Sequence, residues 1–212
     1  MSKKSPQNQA DQTSVDREVV GLGAAHFRVA IYLANRPPLD DYPQLGDLRP
    51  VSAGELDHIV SNTSNHWRKV FSVYAKLMFE LKAHQSWPEC DDYSRWQEYR
   101  DQRMLQSDSE VALLFSPPRL THASQSVSES NLEAGSIHII AGKTYAEALG
   151  LSDQLVWLDA HFAVIEDQRV IVCPYLDYRQ LSNERIERLV GYIQRFWGEG
   201  AKPVDTKSDA CG

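Results

Sequence analysis

A short run of β-branched residues near the end of the chain closes at a proline and leads into an amphipathic helix. The run is Arg169 to Cys173, the proline is Pro174, and the helix extends from Glu184 to Trp197. This order is typical of a parallel strand followed by a crossover helix, because a strand covered on both faces reads as continuously apolar. It predicts an α/β fold in which the loop after the strand crosses the carboxyl edge of the sheet.

Further apolar runs have the same character. We predict strands at 27–34, 110–115 and 136–141, and the first two end at double prolines, which cannot donate to a β-ladder. Residues 160–165 and 169–173 flank a polar turn and predict a hairpin. We expect an α/β fold of three layers, with a mostly parallel central sheet of four or five strands and helices on both faces.

The clearest helix of the sequence extends from Trp67 to Leu81. Its apolar residues recur at i, i+3, i+4 and i+7, which places them on one face. Phe71 lies in the middle of this face. We therefore predict that Phe71 belongs to the hydrophobic core.

Chain length sets the domain organisation. With 212 residues, of which 42% are apolar, the chain can bury one sizeable core. We predict a single domain over residues 20–197, with disordered tails at 1–19 and 198–212, because both ends lack hydrophobic periodicity. Residues 116–136 are rich in Ser and Asn and predict a long loop.

The acidic balance of the chain bears on its partners. A net charge of -7 argues against a surface that holds nucleic acid by counterion release, although a local basic groove is compatible with it. The chain shows neither an apolar signal region nor an apolar run near the roughly 18 residues of a membrane helix. Its three cysteines lack metal-binding spacing. We therefore expect a cytoplasmic protein with reduced thiols and no membrane association.

The sequence contains fragments of known motifs, but their residues do not have the spacing that the chemistry requires. Gly142-Lys143-Thr144 ends like a phosphate-binding loop, but the position that needs the first glycine is Ile137. What remains is Lys143 beside the N–H groups of a helix start, which attract anions. The seven histidines show no zinc-binding pair on one helix face, so we expect no metal and no cofactor, and we retain only His161 as a titratable candidate.

Polar side chains follow the predicted strands where parallel strands end at one edge. The candidate ligand-binding residues are Asn35, Arg36, Lys143, Tyr175, Asp177, Tyr178 and Arg179. Their amide, phenols, carboxylate and cations suit a small polar or aromatic molecule. In the alternative interpretation, Asp177 and Arg179 cap the last helix and pair on the surface.

Two stretches, Ile137 to Gly150 and Val170 to Asn183, resemble an uncharacterised family of small gammaproteobacterial proteins. That resemblance implies no activity. The order of elements is also similar to the uracil-DNA glycosylase superfamily, whose water-activating loop would correspond to Ala34 to Pro38. The glycine and short helix of that superfamily would correspond to Ile139 to Leu149, and its His-Pro-Ser loop to Cys173 to Asn183.

This second resemblance implies the superfamily's fold and a water-positioning role for Asn35. The chain departs from the superfamily at the catalytic position, because Tyr175 stands where the histidine would fall. Without that histidine, the departing base anion lacks its stabilising group.

Two functions are therefore compatible with the sequence. The first is a binding domain without evident catalytic machinery, for a small molecule or a protein partner. The second is a glycosylase-like enzyme that acts on a nucleobase or nucleoside-type substrate through Asn35, Tyr175 and Asp177. The first is favoured because no nucleophile, metal set or acid–base pair assigns a catalytic residue.

Overall fold

The structure, a computed structural model, describes residues 18–82, 87–120 and 135–198. The predicted tails, apart from residues 18, 19 and 198, lie outside the described residues. So does most of the predicted loop 116–136, of which only residues 116–120 and 135–136 are described.

The described residues form eight strands and five helices. The strands are β1 (Gly21–Gly23), β2 (Val29–Tyr32), β3 (Leu48–Arg49), β4 (Val111–Leu114), β5 (Ile137–Ala141), β6 (Val156–Trp157), β7 (Ala163–Ile165) and β8 (Val170–Cys173). The helices are α1 (Glu55–Asn62), α2 (Asn65–Leu81), α3 (Trp96–Gln102), α4 (Lys143–Ala148) and α5 (Asn183–Trp197).

All eight strands belong to one sheet, in the order β3-β1-β4-β2-β5-β8-β7-β6. The four central strands, β4, β2, β5 and β8, are parallel. They are the strands that the β-branched runs predict, so the prediction of a mostly parallel α/β sheet is confirmed. The predicted hairpin is confirmed as well, because β7 pairs antiparallel with β8.

The predicted count of four or five strands is wrong, because short strands extend both edges of the parallel core. β1, β3 and β6 are only two or three residues long, too short to show a period of two. β1 also contains glycine where β4 approaches closely. A Cβ on Gly21 would lie 2.3 Å from the carbonyl oxygen of Leu113, so only glycine permits this pairing.

The helices are distributed unequally, so the expected three-layer arrangement is not matched. The face of the sheet that contains Ile31 and Ile139 packs against α1, α2, α3 and α5. The opposite face, which contains Tyr32 and Val172, is covered by the six-residue α4 and by loops. The connection from β2 to β4 carries α1, α2 and α3 on the first face, whereas the connection from β5 to β8 carries only α4 on the second.

The predicted apolar face of α2 is buried, with nine of its residues in the core. Phe71 is fully buried. The hydroxyl of Tyr74, also fully buried, donates to the carbonyl oxygen of Ala112 at 2.9 Å. This hydrogen bond satisfies the only polar atom of the ring and fixes α2 over β4.

Candidate functional site

The carboxyl ends of β4, β2, β5 and β8 meet at one edge of the sheet. Read across the sheet, these four strands come second, first, third and fourth in the order of the chain. The direction of winding therefore reverses between β2 and β5. In open α/β sheets, ligands bind outside the carboxyl ends of the strands at this reversal. Asn35 follows β2 at this place, and Gly142 follows β5.

Tyr175 comes from the neighbouring β8 and packs against the end of β5. The amide of Gly142 donates to the carbonyl oxygen of Cys173 at 2.8 Å. Gly142 has a φ of +108°, and a Cβ there would lie 3.7 Å from the ring of Tyr175. The left-handed backbone region favours glycine at this position. The turn after β5 thus supports one side of the Tyr175 ring.

His66, in the first turn of α2, covers the Tyr175 ring from another direction. The Tyr175 hydroxyl and His66 Nε2 lie 3.0 Å apart. The two rings stack, with centroids 5.4 Å apart and an interplanar angle of 28°. The Asn35 side chain also lies close enough to the Tyr175 hydroxyl to lower its pKa. Asn35, His66, Gly142 and Tyr175 together form what we call the strand-edge site.

The strand-edge site is held in an uncharged state at neutral pH. Burial lowers the pKa of His66, the nearby Lys69 lowers it further, and Asp177 acts in the opposite direction. Burial raises the pKa of Tyr175, an effect that the interaction with Asn35 partly offsets. A neutral imidazole, a neutral phenol and an amide each donate and accept hydrogen bonds. The site therefore suits a ligand with neutral polar edges.

Two of the predicted site residues turn their side chains elsewhere. The Arg36 guanidinium donates to the carbonyl oxygens of Leu45 at 2.8 Å and Pro43 at 3.2 Å, so it fastens the loop after β2. Lys143 Nζ lies 4.8 Å from the centre of the Trp157 ring. The structure does not bring either cation to the Tyr175 hydroxyl.

Asp177, Tyr178 and Arg179 form a second cluster, which faces α2. Asp177 Oδ2 accepts from Lys69 Nζ at 2.7 Å, and its Oδ1 accepts from the amide of Arg179 at 3.0 Å. The Tyr178 ring is 53% exposed and lies beside Lys69 Nζ, 5.1 Å from its centre. The alternative of helix capping does not hold for α5, whose N-cap is Ser182.

His66 is the site residue that sequence reasoning missed. It carries no motif, and it lies 109 positions before Tyr175, so only the packing of α2 on the sheet joins them. His161, the histidine retained from the sequence, lies in the turn between β6 and β7, where its Nε2 is 2.9 Å from Arg185. The strand-edge site does not include it.

Two further observations concern metal binding and membrane insertion. Within the part of the chain that the structure describes, no group of three or more His, Cys, Asp and Glu side chains could hold a metal ion. Among the helices of those same residues, none has the length and apolar character needed to cross a membrane.

Comparison with known proteins gives one match. A family model described as a family of unknown function (DUF6942) matches residues 20–194. The match extends over all eight strands and most of α5. The predicted resemblance to an uncharacterised family is thereby confirmed. No curated protein and no solved structure matches the chain.

Proposed function

The chain belongs to this family of unknown function, and we propose that it binds a small polar or aromatic molecule at the strand-edge site. One observation carries the proposal. The side chains of Asn35, His66 and Tyr175 meet through the Tyr175 hydroxyl where the sheet reverses its winding. That place is where α/β sheets bind their ligands.

The chemistry of the three side chains narrows the ligand class. None carries a charge at neutral pH in this proposal, so complementary groups on the ligand are amides, hydroxyls or ring nitrogens. An Asn side chain matches the paired donor and acceptor on the edge of a nucleobase. An uncharged heterocycle of nucleobase type is therefore the ligand that we favour, and a protein partner is the alternative.

Asn35→Ala is expected to abolish ligand binding while leaving the melting temperature nearly unchanged, because Asn35 is exposed and surface changes usually cost less than about 0.5 kcal/mol. The measurement is a thermal-shift screen of uncharged nucleobases and nucleosides on the full chain. The matched control is Arg179→Ala, which removes an exposed side chain outside the strand-edge site. An Asn35→Ala protein that binds the same ligand as wild type would contradict the proposal.

A second candidate function is a glycosylase-like enzyme that acts on a nucleobase or nucleoside-type substrate. One observation favours it: the Asn35 amide follows the first parallel strand, where the resemblance implies a water-positioning group, and it interacts with the Tyr175 hydroxyl, which also lies 3.0 Å from Nε2 of His66. Asp177 weakens this candidate, because its carboxylate pairs with Lys69.

We expect no release of free base when the protein is incubated with nucleosides or with uracil-containing single-stranded DNA. The reason is that no group at the strand-edge site is placed to stabilise a departing base anion by charge. Liquid chromatography of the supernatant measures the release. If the wild-type protein releases free base and Asn35→Ala does not, the protein is a glycosylase-like enzyme and the binding proposal is wrong.

The proposal places the protein in a bacterial cytoplasm. Cys90 and Cys173 are buried free thiols, and burial raises the pKa of each to about 12. Thiols of this kind are unreactive and behave as small apolar residues. Two buried thiols without a disulfide support the reducing compartment expected from the sequence.

A further inference from the structure

We propose that a groove between α2 and α3 binds a small organic polyphosphate of the nucleoside diphosphate class. The groove has a volume of about 270 Å³, and the residues that matter for the argument are Arg68, Lys69, Lys76, Trp96, Arg100 and Tyr178. We call it the basic groove. This site goes beyond the proposed function, because it contains none of the residues of the strand-edge site.

The charge of the basic groove is opposite to that of the protein. Four of its lining side chains are cations and none is a carboxylate, whereas the whole chain has a net charge of -7. Lys69 pairs with Asp177, and Arg100 pairs with the neighbouring Asp101. Among the described residues, neither Arg68 nor Lys76 has a carboxylate within ion-pair distance. The groove therefore retains positive charge.

The position of the cations on α2 is unfavourable for the helix alone. The first turn of α2 contains no acidic residue, and Arg68 and Lys69 follow it directly, near the positive end of the helix dipole. A bound anion would offset this unfavourable interaction, which gives the arrangement a physical reason.

Aromatic rings hold the cations in place and offer a stacking surface. The Trp96 ring lies 5.4 Å from Lys76 Nζ and 5.5 Å from Arg100 Cζ, within cation–π range of both. Tyr178 borders the groove with a ring that is 53% exposed. A heterocyclic base stacked on Tyr178 would leave its phosphates to the cations.

The extent of positive charge favours a small ligand over a polymer. A second groove of about 330 Å³ adjoins the first, because both are lined by Lys76 and Trp96. The second groove, however, is also lined by Glu80 and Glu187. A nucleic acid strand needs a basic surface that continues along its backbone. The two carboxylates interrupt the basic surface at the second groove, so a strand cannot follow it. Four clustered cations match two or three phosphoryl groups instead.

Titration calorimetry of the full chain with ADP, at constant ionic strength, tests this site. Arg68→Gln combined with Lys76→Gln is expected to weaken ADP binding by about tenfold or more, which corresponds to about 1.4 kcal/mol. The matched control is Arg195→Gln on α5, which removes a cation that pairs with Glu166. The affinity of this variant for ADP should stay within about twofold of wild type. Circular dichroism confirms that each variant is folded.

Two further arms separate the parts of the proposal. Tyr178→Ala should weaken the binding of ADP but not of pyrophosphate, and Asn35→Ala should leave ADP binding unchanged. The basic groove and the strand-edge site can therefore fail independently. No ADP binding at millimolar concentration, wild-type affinity in the double variant, or tighter binding of a single-stranded oligonucleotide than of ADP would each overturn the inference.

Discussion

Phe71→Ala is expected to lower the free energy of unfolding by about 3–5 kcal/mol, the range measured for truncation of large core side chains. The Phe71 side chain is fully buried in the middle of α2. Its ring centre lies 5.7 Å from that of Trp67, which in turn contacts Phe115. Removing the ring therefore leaves a cavity between the longest helix and the sheet. Urea unfolding followed by circular dichroism gives the free energy.

The control for this prediction is Glu80→Ala on the same helix. Glu80 is exposed, and alanine is the best helix former, so a change below about 0.5 kcal/mol is expected. If Phe71→Ala unfolds at the same urea concentration as wild type, α2 does not pack as described.

Lowering the pH from 7 to 5 is expected to destabilise the fold by about 2 kcal/mol through His138 alone. His138 is only 7% exposed, and burial lowers its pKa from 6.5 to about 4. Its Nδ1 shares a hydrogen bond of 2.8 Å with the hydroxyl of Tyr32. Below pH 6.5 the unfolded chain binds a proton at this position, while the folded chain remains neutral until about pH 4. Stability is therefore lost as the pH falls through this window.

His138→Asn isolates the contribution of this histidine, because an amide can still hydrogen-bond to Tyr32 but does not titrate. The difference in unfolding free energy between pH 7 and pH 5 should shrink by about 2 kcal/mol in this variant. His58→Gln, which removes an exposed histidine, is the matched control and should keep most of the wild-type difference. An unchanged difference in His138→Asn would show that His138 titrates normally in the fold.

The parallel core was predictable because each central strand is a continuous apolar run. The edge strands were not. Gly21–Gly23 and Leu48–Arg49 have no apolar alternation. The first of them pairs with the free edge of β4, and the second pairs with the first. The unequal distribution of helices over the two faces of the sheet could not be predicted either, because an apolar helix face does not indicate which side of a sheet it covers.

The strand-edge site was predictable in part for the same reason. Parallel strands end at one edge, so the polar residues after β2 and β8 were expected on the same side of the sheet. Asn35 and Tyr175 do interact there, although β5 lies between the two strands. The direction in which a loop side chain points cannot be predicted in this way. Arg36 bonds to carbonyl oxygens of its own loop, and Lys143 lies against Trp157.

The net charge of the chain gave no indication of the basic groove. The cations of the groove come from α2, which holds Arg68 and Lys76, and from α3, which holds Arg100. These residues are dispersed along a chain whose total charge is negative. Only the packing of α3 against α2 gathers them on one surface, so composition argues against polyanions in general while the fold provides one local site for them.

The most direct test of the central claim is a titration of the ¹⁵N-labelled full chain with nucleobases and nucleosides, followed by backbone amide chemical shifts. The strand-edge site predicts saturable shifts that include the amides of Asn35, His66, Gly142 and Tyr175 and that are absent in Asn35→Ala. Saturable shifts confined to other parts of the chain, or none at millimolar ligand, would contradict the claim that this edge of the sheet is the functional site.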